Sequence, residues 1–198
     1  MKSATEKRKL LRQLLAGSDI VMAPSCGTPL EARQIEDIGF MAIHGSGSVA
    51  HQQAGYQDAG LLTMTDMVQR MTVLSECLDI PVIADMDTGF GNVANVVRSV
   101  REYERAGVAA FHLEDTVAKV GFAEHSEVEV ISRTEMVNKI KAAVDTRTDE
   151  SMMIIARSEN RTDLNEFIER NAECIEAGAD GCWTSGALGQ EGIQALRK

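Results

Sequence analysis

Pro81-Val82-Ile83-Ala84-Asp85-Met86-Asp87-Thr88-Gly89-Phe90-Gly91-Asn92 is an apolar, β-branched run that ends in two acids, turns through glycines and opens a helical pattern at Asn92. The order predicts that Asp85 and Asp87 stand at the C-terminal end of a buried parallel strand. Open α/β sheets and α/β barrels place their active sites at that end. Carboxylates two residues apart share one side of a strand. Like charges this close repel unless a cation or proton lies between them. A turn former or helix cap accounts for one such acid and hardly for both. The expected ligand is Mg²⁺, with Mn²⁺ as an alternative, because Mg²⁺ favours a few carboxylates plus water.

The same pattern extends in both directions. Apolar runs at Ile20–Ala23, Phe40–His44, Val82–Asp85, Ala109–Leu113, Met152–Arg157 and Gly181–Thr184 read as strands. Helical periods fall between them, near Leu30–Ile38, Thr65–Cys77, Val93–Ala106, Thr134–Val144, Leu164–Ala177 and Glu191–Leu196, after an initial helix at 5–16. Gly39, Gly107 and Gly178 sit where helices end, and Asn92 and Asp163 sit where helices begin. Alternation with buried strands predicts a parallel sheet with right-handed crossovers. The six βα units counted here fall short of the eight of a closed barrel. The expectation is one domain over residues 1–198, a (β/α)₈-type barrel of which the chain supplies about six units.

With 20 basic and 30 acidic residues the net charge is −10, which argues against nucleic acid and anionic membrane partners. A small anionic carboxylate remains compatible, since a cation and an arginine reverse the local field. The first 17 residues are charged and amphipathic, unlike a signal peptide or a membrane span. Cys26, Cys77, Cys174 and Cys182 show no paired spacing and read as reduced thiols, which places the protein in the cytoplasm. Cys26, just after the first predicted strand, is a weak candidate nucleophile with no histidine near it in sequence.

The remaining chemistry also follows strands. Ser46 and Gly47, in His44-Gly45-Ser46-Gly47-Ser48, offer backbone N–H groups to a carboxylate, or form a flexible loop. Asp58, in the same connection, is a turn residue unless its context gives it more. In Leu113-Glu114-Asp115 only one acid can face the pocket; Glu114 is the expected metal ligand and Asp115 the structural one. Arg157 ends a strand and can bind a carboxylate bidentately, with Glu159 as a substrate-side neighbour or its salt-bridge partner. The long connection Val117–Val130 reads as a lid, with Lys119 and His125 as candidate acids or electrostatic contacts.

DMDTGFGN, FHLEDT, IIARSEN and AGAD, in this order, resemble the isocitrate lyase / phosphoenolpyruvate mutase superfamily from about Ser18 to Asp180. The resemblance implies a (β/α)₈ barrel that binds Mg²⁺ and a 2-oxo or 2-hydroxy acid, and reacts through a pyruvate enolate. It implies Asp85 as the main metal ligand, Asp87 and Glu114 in the metal's water shell, and Asp58 organising that shell. It implies Arg157 on the substrate carboxylate and Ser46-Gly47 as the second carboxylate or oxyanion contact. The lyase branches carry K-[KR]-C-G-H on the lid; this chain has Ala118-Lys119-Val120-Gly121-Phe122-Ala123-Glu124-His125, without the cysteine. Glu-Asp-Thr with no lid cysteine most resembles oxaloacetate decarboxylase-like members, and Glu159 is mutase-like. The expected activity is Mg²⁺-dependent C–C cleavage. The alternatives are P–C chemistry on phosphoenolpyruvate or phosphonopyruvate, and a truncated barrel without turnover. A homo-oligomer is also expected, with its helix swap in question.

Overall fold

The computed structural model describes residues 1–117, 128–159, 163–184 and 194. The chain runs α1 (Ala4–Ala16), α2 (Pro29–Ile38), β1 (Ile43–Gly45), α3 (Gly47–Gln53), α4 (Met64–Cys77), β2 (Val82–Asp85), α5 (Val93–Arg105), β3 (Ala110–Glu114), α6 (Arg133–Thr146), β4 (Met153–Arg157), α7 (Leu164–Glu176) and β5 (Gly181–Trp183). Capping sets most helix starts. Ser3, Thr28, Thr63 and Asn92 each close a reciprocal box with the residue three positions on.

The five strands are all parallel and stand in chain order, β1-β2-β3-β4-β5. A sheet wound in one direction with right-handed crossovers puts its helices on one face and curls the other face inward. Two separate apolar clusters match that geometry. Val82, Ala84, Phe111, Leu113, Ile154 and Ala156 pack outward with the helices. Ile83, Ala110, Met153 and Ile155 point inward, where Leu11 joins them. The described strands are therefore an arc of a (β/α)₈-type barrel.

One expected strand is absent among the described residues. Ile20–Ala23 forms no ladder, and Ile20 and Met22 are 92% and 65% exposed. The segment meets β1 only at an isolated Ser25–His44 bridge, where His44 N–H donates to the Pro24 carbonyl. Pro24 has no N–H to return, so the ladder stops there. The predicted helix Glu191–Leu196 lies largely outside the described residues.

α1 closes the N-terminal end of the arc. Lys7 donates to the carbonyls of Ser75 and Leu78 ahead of β2, and Arg8 Nε to Val108 O ahead of β3, at 3.0 Å. Arg12 Nε donates to Ser151 O ahead of β4, at 2.9 Å, and its Nη2 pairs with Asp180 ahead of β5, at 2.7 Å. Leu11, on the same helix, is fully buried as the plug. The C-terminal strand ends are left for the site. Among the described residues no helix is long and apolar enough to cross a membrane.

Arg133 clasps α6 to α7 through Glu166, whose carboxyl its hydrogen bonds hold down at about 2. A depressed carboxyl contributes stability above its unfolded value of about 4.5, lost as pH falls toward 2. Arg133→Gln is expected to raise the midpoint pH of acid unfolding, read by circular dichroism. An unmoved midpoint would show the clasp to be inert.

Candidate active site

Side chains facing inward change from apolar to charged as the strands rise. Register sets Ala110 beside Ile83 and Met153, then His112 beside Asp85 and Ile155, then Glu114 beside Arg157. Asp85, Glu114 and Arg157 thus meet at the C-terminal mouth because each ends its strand on the inward face.

Asp85 is held from several sides. Its Oδ2 accepts from Gly47 N–H at 3.1 Å, and its Oδ1 from Asp87 N–H at 3.0 Å. Tyr103, fully buried on α5, donates to the Asp85 carbonyl at 2.8 Å. Burial, reinforced by the charges of Asp87 and Asp85, pushes that phenol well above its ordinary range. After β2 the backbone turns through Asp87 (φ 47°) and Phe90 (φ 61°), both in the left-handed region. Such a conformation is strained for an aromatic residue, and strain of this kind concentrates at functional turns. Lys139 of α6 donates to Thr88 O at 3.0 Å and braces the turn. The Asp87 carbonyl accepts from Glu114 N–H at 2.8 Å, which ties the second acid's backbone to the third.

Arg157 stands among the acids. Its Nη2 lies 3.1 Å from Glu114 and 2.6 Å from Glu159, and its Nη1 lies 3.7 Å from Asp85. Burial works against its charge, but Glu114, Asp85 and Glu159 outweigh it and hold the proton more tightly than usual. Glu159 therefore grips the guanidinium, a positioning contact that leaves Nη1 the least committed nitrogen. Asp115 points away from the acids, accepting from Ser158 Oγ and Glu159 N–H at 2.8 Å each. Burial raises its carboxyl despite those bonds.

Beneath the acids lies a ring stack that the sequence reading did not pick out. His112 is fully buried, with Nδ1 3.5 Å from Asp85 Oδ1 and Nε2 2.8 Å from His44 Nε2. His44 Nδ1 meets Ser25 Oγ at 3.1 Å, and Trp183 stacks on His112 at 4.8 Å between centroids. The contact between the two Nε2 atoms requires one ring to donate and the other to accept. The available signal was parity: His112 lies two residues before Glu114 and so shares its face.

The loop expected at Ser46–Ser48 begins a helix. Ser46 is the N-cap of α3, its Oγ accepting from Val49 N–H at 3.4 Å. Small residues hide a helical period, which is why it read as a loop. Gly47 is required by proximity: a Cβ there would lie 2.8 Å from Asp85 Oδ2 and 3.4 Å from Asp87 Oδ1. Gly47→Ala is expected to cost about 1–3 kcal/mol by overpacking and to weaken Mn²⁺ binding in a titration. Unchanged Mn²⁺ affinity would refute the contact's role.

Asp58 sits in the loop after α3, 3.5 Å from buried His51. Lys119 and His125 lie outside the described residues. The flanks of their segment are joined by a Thr116–Val130 bridge, and Val117 N–H donates to Glu129 O at 2.9 Å. Cys26 is buried, and burial pushes its thiol up to about 11, which suits packing rather than attack. A cleft of about 950 Å³ lies at the other end of the arc, between α1 and α5, but Arg8 and Arg12 on its wall are committed to Asp149 and Asp180.

Among the described residues no three His, Cys, Asp or Glu side chains already form a coordination shell. The donor set nevertheless suits a hard cation. Asp85, Asp87, Glu114 and Glu159 are all at most 5% exposed, and among the described residues the Arg157 guanidinium stands beside them. Clustered, buried carboxylate oxygens are the ligand type that Mg²⁺ or Mn²⁺ takes.

Comparison with known proteins follows this geometry. A family model described as phosphoenolpyruvate phosphomutase matches residues 11–198. The 2,3-dimethylmalate lyase of Eubacterium barkeri is 43% identical over 95% of this chain and 66% of its own length. Oxaloacetate decarboxylase 2 of Pseudomonas putida (strain W619) is 40% identical over 98% of this chain and 65% of its own length. The crystal structure of phosphonopyruvate hydrolase in complex with oxalate and Mg²⁺ superposes with a TM-score of 0.85 at 32% identity, over 96% of this chain and 67% of that one. The chain spans just under two thirds of the length of the two curated relatives.

Proposed function

We propose that this chain, which belongs to the phosphoenolpyruvate phosphomutase family, carries the metal- and carboxylate-binding end of a Mg²⁺-dependent carbon–carbon lyase. Its substrate is a small 2-oxo or 2-hydroxy carboxylic acid, with oxaloacetate decarboxylation as the leading example. The observation that carries the reading is the gathering of Asp85 and Glu114 about Arg157, with Asp87 tied to both acids. The similarity to a 2,3-dimethylmalate lyase and an oxaloacetate decarboxylase supports it.

Asp85, Asp87 and Glu114 would hold the cation. A bound Mg²⁺ acts as a Lewis acid on the substrate's 2-oxo group. Arg157 takes the substrate carboxylate through Nη1, while Glu159 keeps the guanidinium plane in place. The Trp183–His112 stack below excludes water from the reacting end. Free thiols at all four cysteines suit a reducing compartment, the cytoplasm.

Thermal unfolding with Mg²⁺ and oxalate, singly and together, is the first test, because a ligand of the folded state raises the midpoint. A joint shift larger than the separate ones is expected, followed by Mg²⁺-dependent pyruvate release from oxaloacetate above the metal's own background. The absence of both a joint shift and pyruvate release would end the reading. The likeness to phosphonopyruvate hydrolase supports a second one, P–C bond cleavage with the same acids and arginine. Phosphorus NMR of phosphonopyruvate incubated with the chain decides it.

A further inference from the structure

We infer that His51 is a positioning residue, one that sets the Gly47 turn against the acids through its Nδ1 proton and holds Asp58 beside that turn by contact. This role rests on the functional reading above. His51 is fully buried near the end of α3, where it touches the first residue of its own helix and two points of the loop that follows. Its Nδ1 lies 2.8 Å from Gly47 O and 3.5 Å from Asp58 Oδ1. Its Nε2 accepts from Leu62 N–H at 3.2 Å.

These partners leave one assignment. A backbone carbonyl can only accept and a backbone N–H can only donate. The ring therefore carries its proton on Nδ1 and a lone pair on Nε2. The single Nδ1 proton is donated to Gly47 O, and Asp58 Oδ1 lies 3.5 Å from the same nitrogen, in contact with the ring rather than hydrogen-bonded to it. The Nε2 side anchors the ring to the far end of the same loop, eleven residues on at Leu62.

The consequence reaches the acids through Gly47, whose N–H donates to Asp85 Oδ2 at 3.1 Å. One peptide neighbour thus faces the candidate metal ligand while the Gly47 carbonyl faces His51. A buried ring that fixes both Asp58 and this turn defines where each can stand relative to Asp85. Hydrogen bonds one step behind a ligand orient it, and losing them typically weakens metal binding 10–100-fold.

Two amide substitutions separate the two sides of the ring. His51→Asn keeps a donor near the Nδ1 position and loses the acceptor for Leu62. His51→Gln keeps an acceptor near the Nε2 position and loses the donor to Gly47 O. Mn²⁺–oxalate affinity by calorimetry and Leu62 amide exchange by NMR would be measured on the wild-type chain and both variants. The expected result is faster Leu62 exchange but near wild-type affinity in His51→Asn, and affinity about 10–100-fold weaker in His51→Gln. Equal affinities in the two variants, whether both intact or both weakened, would overturn the role, because simple packing treats the variants alike. A wild-type chain that fails to bind Mn²⁺ and oxalate overturns the functional reading itself, and this role with it. That outcome is read from the wild-type arm alone.

Discussion

Asp87→Asn is expected to raise the unfolding temperature measured without divalent cations and to remove its response to Mg²⁺ and oxalate. Asp87 is 5% exposed, and its backbone N–H is bonded to the Asp85 carboxylate. Glu114 is tied to the Asp87 carbonyl. Bringing these carboxylates together costs free energy, which Arg157 is among the groups to offset. Asparagine has the same shape, carries no charge and tolerates the left-handed region that Asp87 occupies at φ 47°. The backbone therefore has no reason to move. Relief of repulsion at a functional site is worth about 1–2 kcal/mol, or roughly 2–8 °C in a chain of this size. The same substitution removes an anionic group from the metal's water shell, so Mn²⁺ affinity should fall by about 10–100-fold. Calorimetric scans with and without Mg²⁺, plus a Mn²⁺ titration, read both halves. A lower midpoint with intact Mn²⁺ affinity would show that Asp87 is a structural turn residue.

Arg157→Met is expected to lose about 3–5 kcal/mol, because removing one partner leaves buried charge uncompensated. Arg157 contacts Asp85, Glu114 and Glu159, each nearly inaccessible to water. Without the guanidinium these carboxylates would hold protons more tightly in the folded chain than in the unfolded one. Acids raised in this way contribute stability at low pH that is lost as pH rises through the raised values. The variant should therefore gain stability as pH is lowered from neutrality toward the ordinary carboxylate range. Urea unfolding at several pH values tests this, and a loss independent of pH would place the damage in packing instead. Arg157→Lys restores a charge but not the two-pronged geometry. Its stability should recover much more than its kcat/KM on any 2-oxo acid the chain turns over.

Much of this was legible in the amino-acid order because the signals are local. The strand Val82–Asp85 and the start of α5 follow from a β-branched run, a glycine turn and the capping Asn92, all within a dozen residues. Arg157 ends its strand as the pattern in Met152–Arg157 predicts. Local signals failed in two places. Gly47–Gln53 has too many small residues to show a helical period, although Ser46 is a usable cap. Ile20–Ala23 has strand composition, but Pro24 removes the donor that pairing with β1 needs.

What the sequence by itself determined is the alternation of elements, the parallel sheet and the acids at its C-terminal edge. Each of these depends on periodicity and turn chemistry between near neighbours. Only the tertiary structure decided which polar residues meet. His44 and His112 are 68 residues apart, yet their ring nitrogens are 2.8 Å from each other. His51 faces Asp58 only because α3 and the loop after it fold back on each other. Arg157 is gripped by Glu159 and reaches Glu114 and Asp85 because strand register sets Arg157 beside Glu114 and His112 beside Asp85. Register and burial come from the packing of the whole inner face, so no window of sequence contains them.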